Sequence, residues 1–239
     1  MALTLTQLRI RVLDPLDMLD MTIVDSAEVT RNINQGIKVV SAAIHNLYED
    51  YYLDKEDLTL VNGTRAYDLP ADIYADKIRK IMYNDGNNDE YEISRVKYLE
   101  LIKHVNDAGD ADAKNYQYII TNNLTNGRKI QIYPTPSENL VITDGLWYIR
   151  NAKQLSLDAD ILDIPDEFEN VVILYAQKEC LKKDLPNVST QQQAEKDYQE
   201  ERVLMIETLS NRQPDKDTLL PMDLGLYEDF YGNGDGDWN

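Results

Sequence analysis

Residues 25–52 read DSAEVTRNINQGIKVVSAAIHNLYEDYY, and this stretch decides the fold. Its large apolar side chains recur every three or four residues, at Val29, Ile33, Ile37, Val40, Ile44, Leu47 and Tyr51. That spacing is typical of a helix with a single apolar stripe. Asp25, followed three residues later by Glu28, forms a capping-box-like start. The sequence therefore predicts a helix about 40 Å long, which needs other helices packed along it.

Three further helices are predicted, one before this helix in the chain and two after it. Thr4 and Gln7 form a second capping-box pattern and predict a short helix over residues 3–13. The chain returns to helical spacing at 166–184, where the centre is apolar on all sides, and at 189–209. These segments are expected to pack along the long helix.

Between the helices, the period of the apolar residues changes from 3.6 to two. Residues 57–69 contain Asn62-Gly63, the pair best suited to a tight turn, and predict a hairpin. Further strands are predicted at 76–84, 90–93, 116–121, 128–133 and 140–150. We expect an α+β fold, in which an antiparallel helical bundle (a long central helix plus C-terminal helices) carries an inserted antiparallel β region and an extended C-terminal tail. The predicted divisions are 1–54, the first bundle helices; 55–155, the β region with a short helix; 156–211, the C-terminal bundle helices; and 212–239, the tail.

Composition limits the classes of function. The 239 residues carry a formal net charge of −19, which disfavours a nucleic-acid-binding module because such a surface repels phosphates. A basic protein partner, a solubility role and a passage through which DNA slides without sticking all remain compatible with that charge. Sixteen Tyr against two Phe and two Trp suit surfaces that are partly wet. Neither a signal peptide nor a membrane span is expected.

The sequence offers no convincing catalytic or metal site. His45 and His104 lie far apart, and Cys180, the only cysteine, is expected to be a core residue. Asp85, Asn87 and Asp89 resemble the start of a calcium loop, but a glutamate stands where that loop needs glycine, so a plain turn is favoured.

Common enzyme motifs are also missing. Asp166, Glu167 and Glu169 are explained by their place at a helix start, where carboxylates are favoured by the helix dipole. The sequence contains no G-x-x-x-x-G-K, G-x-G-x-x-G, G-x-S-x-G or H-E-x-x-H. We expect a protein that is not an enzyme and that has no metal or cofactor.

The C-terminal segment 212–239 is the candidate for partner binding. Its seven acidic residues stand against two basic ones, and helical spacing is lost after Asn211. It nevertheless keeps large apolar side chains at Leu226, Tyr227, Phe230, Tyr231 and Trp238. Such a segment can fold on a partner, although an ordinary frayed terminus has the same appearance.

Several short motifs, taken in order, resemble the head-to-tail adaptor (connector) proteins of tailed bacteriophages. The resemblance covers about residues 1–210. The motifs are Leu8–Leu13, Arg31–Asn34, Glu49–Tyr52, Tyr67–Pro70, Lys129–Pro136, Leu146–Ile149, Leu162–Pro165, Glu167-Phe168 and Leu174–Ala176. Each is weak alone, and it is their order and spacing that carry the likeness.

The resemblance implies a structural virion protein that is made in the host cytoplasm and resides at the capsid–tail junction. Proteins of that family form a closed ring, typically twelvefold, beneath the portal protein. The ring extends the DNA channel and offers a platform to tail or neck proteins, so double-stranded DNA would pass through without specific binding. An acidic wall suits such a channel because contacts to phosphate would have to break during ejection.

A second class of function explains the same charge. An acidic DNA mimic, or another protein-binding regulator, would be a monomer or dimer that competes with DNA. An adaptor would instead form a large ring and bind a portal. An enzyme on the same fold would need a pocket of perturbed titratable groups.

Overall fold

The helices come in two groups, one before and one after the strands. The computed structural model describes residues 3–19, 23–84, 90–100, 116–123, 127–183 and 188–212. Its α-helices are α1 (Leu5–Leu13), α2 (Ser26–Leu47), α3 (Glu169–Leu181) and α4 (Val188–Asn211). Single 3₁₀ turns occupy Asp14–Leu16, Glu49–Tyr52 and Asp166–Phe168.

Within the described residues, eight strands form two four-stranded sheets. They are β1 (Leu53–Leu60), β2 (Ala66–Asp68), β3 (Ile73–Asn84), β4 (Glu90–Glu92), β5 (Ser94–Arg95), β6 (Gln117–Asn123), β7 (Gly127–Tyr133) and β8 (Leu140–Arg150). The first sheet has the order β1-β8-β3-β4, and the second has the order β2-β7-β6-β5. The pairings are antiparallel except for the short β5–β6 pair, which is parallel and corrects the expectation of an entirely antiparallel region.

Both predicted helix starts are present. The Thr4 hydroxyl accepts a hydrogen bond from the Gln7 backbone N–H, and the Gln7 side chain accepts one from the Thr4 backbone N–H, which completes the capping box. At α2, the Asp25 carboxylate accepts from the backbone N–H of Glu28 at 2.7 Å. These contacts satisfy amides that have no partner within the first turn.

The apolar stripe of α2 is confirmed from Val29 to Ile44. The five residues at positions 29, 33, 37, 40 and 44 are fully buried. The predicted length is wrong, however, because the α-helix ends at Leu47 and spans about 33 Å. A 3₁₀ turn then places the buried Tyr52 so that its hydroxyl donates to the Asp163 carbonyl oxygen at 3.0 Å, while Tyr51 is left 39% exposed. This long-range contact, and the start of β1 at Leu53, explain the early end.

Helices α2 and α3 approach each other closely at Gly36. A Cβ at this position would lie 3.1 Å from the Val172 carbonyl oxygen and 3.3 Å from the Tyr175 ring. The residues of α3 predicted to be apolar on all sides include the buried Val171, Val172 and Ile173. Glycine therefore allows the backbone of α2 to reach that of α3.

The predicted hairpin over 57–69 is wrong. The turn itself forms, with the Thr64 N–H donating to the Val61 carbonyl at 2.9 Å and Gly63 at a φ of 73°. The strands on either side of it enter different sheets, since β1 pairs with β8 and β2 pairs with β7. Turn chemistry fixes where the chain reverses, but the long antiparallel ladder offered by β8 decides which strand β1 joins.

In the part of the chain that the structure describes, buried apolar side chains form two clusters, one among the helices and one contributed by both sheets. Strand β8 contributes to both: Ile149 packs in the helical cluster, whereas Leu146 and Tyr148 pack in the sheet cluster. The mixed α+β class is confirmed. The finer prediction of a bundle with an inserted β region, and its domain boundaries, remain predictions.

Candidate functional site

An open polar cleft lies where α2, β1 and the end of β8 meet the connection from residue 151 to 163. Its volume is about 1030 Å³. The lining is rich in charged and polar side chains, namely Lys38, Ser41, Asp54, Asp72, Arg150, Asn151, Lys153, Gln154, Asp160 and Asp163. It therefore combines both signs of charge on one surface.

Arg150, the last residue of β8, is the centre of this cleft. Its guanidinium makes two hydrogen bonds to the Asp163 carboxylate, one of them from Nη2 at 3.1 Å, and its Nε lies 3.3 Å from Asp54. The ring of Tyr52 lies 5.2 Å from the guanidinium carbon. The hydrogen bond to Asp163 raises the pKa of Arg150 further. The pair joins β8 to the segment that leads into α3.

Asp72 provides a second junction beside it. Its carboxylate accepts a hydrogen bond from the Tyr148 hydroxyl at 3.0 Å, and the Asn151 side chain donates to the carbonyl oxygens of Asp72 and Ile73. Burial, followed by this hydrogen bond, raises the pKa of Tyr148. These bonds continue the pairing of β3 with β8 past the end of the strand.

Asp160 organises the loop that closes the cleft. Its carboxylate accepts hydrogen bonds from the backbone N–H groups of Leu157 and Ser156, and from Lys153 Nζ, each at 2.8 Å. These donors hold the pKa of Asp160 well below its ordinary value, the Leu157 amide contributing most. The loop in turn packs on α1, because the Leu5 N–H donates to the Asp160 carbonyl at 2.9 Å.

His45 sits beneath the cleft as a packed side chain, only 3% exposed. Its ring stacks on Tyr74 at 3.8 Å between centroids, and Nε2 lies 3.0 Å from the Arg150 carbonyl oxygen. Since a carbonyl only accepts, Nε2 carries the proton in the neutral ring. Desolvation lowers the pKa of His45, so the neutral form is favoured.

The polar groups of the cleft make structural contacts that hold elements of the fold together. The cleft carboxylates described above are each engaged by a protein donor, and within the described part of the chain no three His, Cys, Asp or Glu residues are grouped to hold a metal ion. Cys180 is buried, as predicted; burial raises the pKa of its thiol, which accepts a hydrogen bond from the Asn32 amide.

The other sequence candidates divide into two groups. Glu169 lies at the start of α3, 3.8 Å from Arg11, and Glu167 pairs with Arg212 at 2.5 Å, so both serve as helix-end contacts. The remaining candidates lie outside the described residues: His104, Asp85, Asn87, Asp89, Leu226, Tyr227, Phe230, Tyr231 and Trp238.

Sequence reasoning missed the Arg150 junction. The charged partners of Arg150 come from β1 and from the segment before α3, and no periodic spacing connects them. A single arginine at the end of a strand gives no local signal for such a network.

The model of one family, described as the SU10 adaptor protein, matches residues 3–218, nearly the whole chain. The chain belongs to this family. It is a family of phage head-to-tail adaptors, so the protein is a structural bacteriophage adaptor of the head–tail connector class, and the resemblance carried by the ordered motifs is confirmed.

Family membership indicates a virion protein with a non-enzymatic role. No curated protein matches the adaptor chain. Among the described residues of the adaptor, no helix combines the length and apolar character needed to cross a membrane.

Proposed function

We propose that this adaptor assembles into a closed ring, typically twelvefold, beneath the portal at the capsid–tail junction. The ring extends the DNA channel and presents a docking platform to tail or neck proteins. The observation that carries this proposal is the family match over residues 3–218. The extensive core of α1, α2, α3 and α4 supports it, because a rigid subunit is needed to hold neighbours in a fixed geometry.

The charge of the chain supports passage of double-stranded DNA without specific binding. At a net charge of −19, the average surface repels the phosphate backbone. Contacts from Lys and Arg would bind DNA in a salt-dependent manner and would have to break during ejection. An acidic DNA mimic would carry the same charge, but it leaves the family match unexplained.

The C-terminal segment is proposed to order on the portal or on a neighbouring subunit. The first residue of this segment is held against the subunit, since Arg212 pairs with Glu167 and its guanidinium carbon lies 5.6 Å from the Phe168 ring. The apolar side chains proposed to make the contact are Leu226, Tyr227, Phe230, Tyr231 and Trp238. Truncation after Arg212 keeps the contacts of this residue with Glu167 and Phe168, and it is expected to preserve the melting temperature and to weaken portal docking. If the truncated adaptor binds the portal as well as the full-length protein does, the segment is not needed for portal docking.

The test of the proposed function is direct capture by the portal. Purified portal protein from the same phage, immobilised as assembled rings, should retain the full-length adaptor in a fixed molar ratio. Double-stranded DNA at the same concentration should not retain it. Absence of portal binding, or competition with DNA for a DNA-binding enzyme, would favour the mimic instead.

A further inference from the structure

Helices α1 and α4 pack on opposite sides of α3. Glu169 and Gln177 of α3 contact α1, through Arg11, whereas Tyr175 and Lys178 contact α4. At about 100° per residue, the mean directions of these two pairs differ by roughly 170°. Helices α1 and α4 therefore flank the same helix, and each has one face turned away from it.

The outward face of α4 is apolar at its centre. Val203 and Leu204 are 51% and 56% exposed, and they lie roughly 140° and 240° around the helix from the buried Tyr198. Glu200 and Glu207, both exposed, lie about one turn before and after them. We call Glu200, Val203, Leu204 and Glu207 the α4 patch.

The outward face of α1 also exposes apolar side chains. Ile10 is 51% exposed, and the Arg11 side chain, which borders this face on the side of α3, is 56% exposed. Leu157 and Ile161, 68% and 55% exposed, belong to the loop that packs on the start of this helix, where Ile161 bridges to Thr4. We call Ile10, Arg11, Leu157 and Ile161 the α1 patch.

The two helices carry opposite charge. Helix α1 contains two arginines and no acidic residue, in a chain whose net charge is −19. Arg9 is paired with Asp158 of the adjoining loop at 2.6 Å, so Arg11 supplies the positive charge of the α1 patch. Helix α4 contains five acidic and two basic residues, a net charge of −3. The ion pair from Arg11 to Glu169 is long, at 3.8 Å, so the guanidinium can also reach a carboxylate outside the subunit. An apolar centre with a charged rim is the usual anatomy of an interface.

We propose that the α1 patch of one subunit docks on the α4 patch of the next. This inference rests on the proposed ring and names the surface that closes it. Two different patches on opposite sides of a subunit make a head-to-tail contact, and such a contact generates a ring when the rotation closes. Arg11 faces Glu207 across the contact, since Glu200 is already paired with Lys196 at 3.6 Å, and Ile10 packs on Val203 and Leu204.

A cross-linking experiment tests the contact. The double variant Arg11→Cys/Glu207→Cys, treated with a bis-maleimide, should give a ladder of covalent multimers. The native Cys180 is 1% exposed and should not react in the folded protein. An equal mixture of the two single variants should give one covalent 1:1 dimer. The control Arg11→Cys/Asp68→Cys, with the second cysteine at a highly exposed position on β2, should give no ladder.

Assembly of charged variants gives a second readout. Ile10→Asp and Leu204→Asp change exposed positions and should keep the helical circular dichroism signal while losing the large assembly. Mixed in equal amounts, they retain one intact pair of patches and should form a 1:1 dimer. This outcome separates a head-to-tail contact from a symmetric one, in which one of the two variants would dimerise by itself through its unchanged patch.

The outcomes distinguish a wrong assignment of the contact from the absence of a ring. If the wild-type protein assembles but the double-cysteine variant gives no ladder, or if Arg11→Cys alone gives dimers, the proposed contact is wrong and the ring stands. If the α4 patch is covered by the subunit's own C-terminal segment, the ladder will also be absent. If the wild-type protein never assembles, alone or on its portal, both proposals fall.

Discussion

Arg150 at the end of β8 holds Asp163 through two hydrogen bonds, and this pair ties the first sheet to the segment that enters α3. Both side chains are about three-quarters buried. Hydrogen bonds between charged, partly buried groups contribute more than exposed ion pairs do, because water screens them less. The relative placement of strands and helices therefore depends on this contact.

Replacement Asp163→Asn should lower the free energy of unfolding by about 1–3 kcal/mol, since Arg150 loses the nearer of its two charged partners, Asp163 and Asp54, within a partly desolvated site. Urea unfolding at neutral pH measures the change. The matched control is Asp68→Asn, which removes the carboxylate of an exposed pair with Lys129 and should cost at most about 0.5–1 kcal/mol. Equal effects of the two variants would contradict the central place given to Arg150.

His45 should make stability depend on pH. Burial lowers its pKa below the ordinary value of 6.5, so the folded state binds a proton less readily than the unfolded chain does. The stabilisation is complete above about pH 6.5 and is lost as the pH falls below that value. Unfolding free energies from urea titrations between pH 7.5 and 5 should decline more steeply for the wild type than for His45→Gln. His104 is present in both proteins, so its contribution cancels, and parallel declines would contradict the prediction.

Ile44→Asp should prevent folding, because an unpaired charge would enter the fully buried stripe of α2 at a cost of several kcal/mol. Circular dichroism and solubility measure the loss. Ala42→Asp places the same charge on an exposed position of the same helix and should remain folded. A folded Ile44→Asp protein with wild-type stability would mean that the stripe does not face the core.

Gly36→Leu should separate α2 from α3, since even a Cβ would lie 3.1 Å from a backbone oxygen that cannot move freely. Overpacking of this kind costs about 1–3 kcal/mol, although leucine favours the helix more than glycine does. Thermal unfolding measures the change. Gln35→Leu, at the neighbouring exposed position, places a leucine in the same helix without the clash, and it should be nearly neutral because glutamine and leucine have similar helix propensities.

Local patterns in the sequence predicted the parts of the fold that depend on local physics. The stripe from Val29 to Ile44 and the capping box at Thr4 were readable because spacing and cap chemistry act within one or two turns. The helix predicted at 189–209 likewise forms as α4, with Tyr198, Met205 and Leu209 buried.

Long-range pairing accounts for what the sequence did not predict. The early end of α2 depends on Tyr52 reaching the carbonyl of Asp163, more than a hundred residues away. The separation of β1 from β2 depends on β8, which lies far along the chain. The cleft around Arg150 joins three such segments, and no pattern within a single window could bring them together.

The proposed role as a ring under the portal is tested most directly by the mass and symmetry of portal-bound adaptor. Native mass measurement combined with electron microscopy of that complex should show many copies of the 27.5 kDa chain in one closed ring around the DNA channel, typically twelve. Single copies scattered in the virion away from the exit vertex, or a strict monomer both alone and with the portal, would contradict it.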